Sequence, residues 1–157
     1  MPADLSALVT AFWRFHELGQ GDREQRLAAE AGVDSWAWEA VEEAVTESDE
    51  AVLALLDALL EAPAAKPCYL GAGPIEDLLV AHGPRWQQDV AMRCRNSPTW
   101  RDALACVWLN DAEEKQVPLL AEFLPHGEPP AVVEMLLKPI KTTSRDRGSA
   151  GRERRGR

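Results

Sequence analysis

"CYLGAGPIEDLLVAHGPRW", residues 68–86, decides between two folds. Read as a G-x-G turn before an apolar helix, it would be a phosphate-binding loop, a motif that follows a β-strand. Read as a turn into a short helix, it belongs to an all-α chain. A phosphate loop presents backbone N–H groups to the anion and usually places Lys or Arg nearby. Here Glu76 and Asp77 fill the first turn and would repel an anion. No strand pattern precedes the glycines, and there is no G-K-[ST]. The helical reading explains each residue. Gly71 and Gly73 permit a tight turn, and Pro74 suits the first helical position, where its missing N–H costs nothing. Glu76 and Asp77 complement the positive end of the helix dipole, which predicts lowered carboxyl pKa values. His82 suits the negative end, and Gly83 closes the helix.

Outward from this stretch, apolar spacing is helical throughout. Leu5, Leu8, Val9, Phe12, Trp13 and His16 form one stripe, ended by Gly19. A weaker helix is expected over 23–31. Asp34 is expected to cap a helix through about Thr46, with Ala37, Trp38, Val41, Ala44 and Val45 inside. Ser48 or Asp49 should cap the next, burying Val52, Leu55, Leu56, Leu59 and Leu60. APAAKPCYLGAG (62–73) reads as a connector. Gly83-Pro84 starts a helix aligning Trp86, Val90 and Cys94. Ser97-Pro98 caps another that should bury Trp100, Ala103, Leu104, Val107 and Trp108. Weaker helices are expected near 112–124 and 130–137. No period-2 alternation bounded by turns appears. The fold class is therefore all-α: a compact multi-helix bundle or a short helical solenoid of antiparallel helices.

Charge divides the chain. Residues 1–140 carry 10 Lys/Arg and 24 Asp/Glu, a net of −14, and read as a single helical domain. Residues 141–157 carry 7 basic and 2 acidic groups, a net of +5, with one Ala as their only apolar side chain. They are expected to be a disordered basic tail. No apolar run reaches the roughly 18 residues of a membrane span. MPADLSALVT lacks a basic n-region, so no signal peptide is expected. Cys68, Cys94 and Cys106 are too few and too scattered for a disulfide framework. They predict free thiols, buried as small apolar groups, in a reduced cytoplasmic setting.

"FWRFH", "SWAWEAVEEAV", "LLDALLEAP", "YLGAGPIEDLLVAHG" and "SPTWRDALACVWLN" occur in that order. Together they resemble an uncharacterised bacterial domain family of unknown function. The resemblance covers about residues 5–110 and leaves extra C-terminal helices over 111–140. Its specific part is A-G-P-[LI]-E-D-L-L…H-G, carried here by Gly73, Pro74, Glu76, Asp77, His82 and Gly83. It implies the fold and its boundaries, and no chemistry.

Two function classes remain. The first is a non-catalytic acidic protein-binding module, an adaptor or immunity-like protein. Trp36 and Trp38 are two apart, so one helix face cannot hold both. Trp38 joins the Val41/Val45 stripe, while Trp36 aligns with Glu39, Ala40, Glu43 and Glu47. Trp36, Glu39, Glu43 and Glu47 are thus a candidate contact for a basic protein partner. Alternatively, Trp36 packs under the first helix or the 19–33 loop. The second class is a small enzyme using Glu76 or Asp77 with His82, joined by His16 or Glu17 from another helix. The i+6 and i+5 spacings place those pairs on different faces. No His pair has metal-ligand spacing, and no nucleophile motif occurs, so no metal or cofactor is expected. Nucleic-acid binding through the tail is opposed by the acidic body.

Overall fold

The computed structural model describes residues 4–30, 32 and 34–126. Helix α1 (Leu5–Gly19) begins where the Asp4 carboxylate accepts the Ala7 N–H. It buries Leu8, Ala11, Phe12, Trp13 and His16, the stripe its spacing defines. Helix α2 (Arg23–Glu30) follows, then α3 (Ser35–Glu47), with Ala37, Val41, Ala44 and Val45 inside. Asp34 does not cap α3 with its side chain. Its carboxylate instead takes both Nε and Nη2 of Arg14, which holds it below its usual pKa range.

Helix α4 (Val52–Glu61) buries every Leu expected of it. Neither expected residue is its N-cap, which is Ala51. Ser48 closes α3 in the left-handed conformation, and Asp49 accepts the Ala51 N–H. The connector is itself helical: α5 (Pro67–Leu70) runs into a π-helical turn over Gly71–Ile75, kinked at Gly73. Helix α6 (Glu76–Asn96) continues, with a second break at His82 before Gly83-Pro84.

Ser97 caps α7 (Pro98–Leu104), as its sequence requires. That helix is shorter than its pattern. Val107 lies beyond its end yet is buried, whereas Trp108 is half-buried and not a core anchor. The chain has already turned by Cys106, where its N–H bonds the Ala103 carbonyl. The expected 112–124 helix is two pieces: α8 (Asp111–Glu114), with a capping box from Asn110 and Glu113, and a 3-10 turn over Pro118–Leu120. The 130–137 helix and the basic tail lie outside the described residues.

The packing is a bundle and not a solenoid. A solenoid pairs each unit with its neighbours only. Here α1 meets α4, α3 meets α6, α4 meets α7 and α5 meets α7. One apolar cluster joins them, centred on Phe12, Val41, Leu55, Leu56, Leu70, Leu78 and Leu104. Each such Leu, fully buried, contributes roughly 1.5–3 kcal/mol. Polar ties cross the same seams. Trp13 Nε1 donates to the Leu59 carbonyl at 3.0 Å. Asp57 accepts Trp100 Nε1 at 2.8 Å and both Nε and Nη2 of Arg93.

The cysteines correct the sequence reading. Cys68 and Cys106 form a disulfide that joins α5 to the turn after α7. Cys94 alone is a buried thiol, and burial raises its pKa to about 11. The bond removes the ground on which a reduced cytoplasm was expected. Among the described residues no helix is long and apolar enough to cross a membrane.

Candidate functional site

The opening stretch folds its own residues apart. At Gly71 the backbone lies so close to α7 that a Cβ would collide with the Ala103 carbonyl oxygen. Further along, the Glu76 carboxylate accepts the Trp108 N–H at 2.8 Å. Burial raises the Glu76 pKa, and the Trp108 N–H opposes the rise without cancelling it. That reverses the lowering expected from the helix dipole. Desolvation of half-buried Glu76 outweighs a dipole effect of roughly 0.3–1 kcal/mol. Asp77, one residue on, points to the other side. His82 Nε2 lies 3.0 Å from the Thr46 carbonyl oxygen, so its ring anchors α6 to α3. The three candidate catalytic residues therefore hold three separate partners or surfaces.

His16 and Glu17 do not complete the set. His16 is buried, with its ring 3.7 Å from Tyr69 and edge-on to Trp13. Burial lowers its pKa, and the Lys66 charge adds to the effect. Glu17 borders a separate groove with Val9, Trp13, Ala62 and Pro63.

Asp77 lines a cavity of about 320 Å³ between α3 and the start of α6. Trp38, Glu42, Val45, Thr46 and Pro74 complete it. Trp38 is held by stacking on Phe12 (centroids 5.7 Å apart, planes at 9°) and has Tyr69 at 6.0 Å. Desolvation raises the Asp77 pKa, and the Glu42 charge raises it further. Burial raises the Tyr69 pKa, and Glu42 again adds. Two carboxylates from different elements thus line one hollow beside an aromatic ring, and both remain exposed to solvent. Sequence reading passed over Glu42 and Tyr69. The only available signal for Glu42 was its position one turn after Trp38.

Glu39, Glu43 and Glu47 are exposed, and Trp36 is 39% exposed. One edge of Trp36 meets a shallow hollow formed with Asp4, Ala7, Thr10, Arg14 and Asp34. It therefore rests beside α1 while still presenting surface. Glu42 lies next to this face, so the acids of α3 run from the cavity rim outward.

Among the described residues these elements define an all-α helical bundle. The chain belongs to the Family of unknown function (DUF6869), whose model matches residues 24–117. The match begins after α1 and ends past α8. No curated protein and no solved structure matches the chain.

Proposed function

We propose that this protein is a non-catalytic binding module, an adaptor or immunity-like protein, that meets a basic protein partner. The carrying observation is Trp36, 39% exposed, on the same side of α3 as exposed Glu39, Glu43 and Glu47. An exposed Trp among acids supplies buried area and charge selection together. The separate engagements of Glu76, Asp77 and His82 favour this reading over catalysis. We propose the bacterial cytosol as its setting.

The test is titration of the full chain with a labelled Lys/Arg-rich peptide at moderate salt. Trp36→Ala should weaken binding about 30-fold, the scale of an interface hot spot. Replacing Glu39, Glu43 and Glu47 together by Gln should weaken it and flatten its salt dependence. Unchanged affinity in both variants would sink the reading.

A further inference from the structure

We propose that the cavity between α3 and the start of α6 receives one arginine side chain of the basic partner. This rests on the binding-module reading and adds the pocket that would select the partner.

The chemistry of the walls points to an organic cation. Glu42 and Asp77 come from two different elements and line one hollow with Trp38. Among the described residues neither carboxylate belongs to an ion pair. A metal ion of the calcium type wants six to eight oxygen ligands. This cavity offers two carboxylates and the Thr46 side chain beside Trp38, Val45 and Pro74, too few oxygens for such an ion. A guanidinium fits better. It is weakly hydrated, stacks on an indole face, and pairs bidentately with a carboxylate.

Size and rigidity agree. A volume of about 320 Å³ is at the low end of ligand pockets, which run roughly 300–1,000 Å³. It suits a side chain better than a large ligand. Trp38 is stacked on Phe12 and Pro74 is buried, so the apolar wall of the hollow is set before binding. The cavity also adjoins the Glu39/Glu43 face. An extended basic segment lying along α3 would place one side chain in the hollow and its neighbours against the outer acids.

The experiment uses the full chain, disulfide intact, and three hexapeptides. Each has five lysines and one variable central residue: arginine, lysine or citrulline. Affinity is read by calorimetry at moderate salt, and the contact by indole N–H shifts in NMR. The arginine peptide should bind at least tenfold tighter than the citrulline peptide, with lysine between, and should shift the Trp38 indole. In Glu42→Gln/Asp77→Asn the arginine–citrulline gap should close. Both positions are exposed, so the fold should survive, checked by circular dichroism. Trp36→Ala should weaken all three peptides and leave the gap open. If the gap is absent in the wild type, or persists in the double variant, the cavity assignment falls. If the gap is absent while Trp36→Ala still weakens every peptide, the binding module stands and only the pocket is lost. Equal shifts over all acidic surfaces would also overturn the pocket, since they mean charge attraction without a seat.

Discussion

At the scale of single residues, two titratable groups carry opposite pH signatures. His16 is favoured neutral by burial, so its folded pKa lies below 6.5. As pH falls through 6.5 the unfolded chain takes up the proton first, and stability declines until the folded value is passed. The Tm of the wild type should therefore drop between pH 7 and 5.5 by a few degrees more than that of His16→Phe. Parallel Tm profiles would show that His16 does not titrate as its burial demands. Glu76 works the other way. Its folded pKa is above 4.5, so its neutral form is favoured and stability rises as pH falls through the folded value. Glu76→Gln keeps an acceptor for the Trp108 N–H and removes the buried charge. At neutral pH its Tm should equal or exceed that of the wild type. Glu76→Ala also removes the acceptor and should cost about 1–2 kcal/mol. Equal losses in the two variants would contradict this account.

At the scale of elements, the α3–α6 seam hangs on Ser48. Its φ of 52° is the only positive value at a non-glycine among the described residues. The hydroxyl accepts the buried Trp86 Nε1–H, and the carbonyl accepts Arg85 Nη1 at 2.7 Å. The Arg85 guanidinium also lies 4.5 Å over the Trp86 ring. Ser48→Ala leaves the indole N–H without its partner and keeps the left-handed backbone. It should cost about 1–3 kcal/mol. Ser48→Gly loses the same bond but relieves roughly 1 kcal/mol of backbone cost. In urea denaturation Gly should thus be the milder substitution. If Ala proves milder, the conformational account of Ser48 is wrong.

At the scale of the whole molecule, the Cys68–Cys106 bond ties two parts of the chain 38 residues apart. Closing a loop of that length restricts the unfolded chain by about 3–4 kcal/mol in the chain-entropy model. Reduction by a dithiol, or Cys68→Ser with Cys106→Ser, should lower stability by that order. Thiol titration of the unfolded, unreduced protein should find one reactive group, Cys94, and three after reduction. Three before reduction would show that the pair stays open. The folded protein should react slowly, because Cys94 is buried and its thiolate is disfavoured up to a pKa of about 11.

The sequence by itself determined the inner faces of the longer helices. Leu8, Phe12, Val41, Leu55, Leu59, Val90 and Leu104 lie inside because each helix repeats its own apolar stripe. Ser97 was legible as a cap, since the capping geometry is local. The A-G-P-I-E-D-L-L stretch also carried the family. Tertiary structure decided what one helix offers another. Glu76 and Asp77 look alike in sequence, yet the packed fold sets one against the Trp108 N–H and the other beside Glu42. Periodicity reports a helix's own faces and not the crossing geometry between helices. It therefore left the choice of bundle over solenoid open, and it missed the Cys68–Cys106 pairing and the Trp38/Glu42/Asp77 hollow. The sign of the Glu76 shift was hidden for the same reason. A dipole belongs to the helix and can be read from residue order, whereas desolvation belongs to whatever packs over the carboxylate.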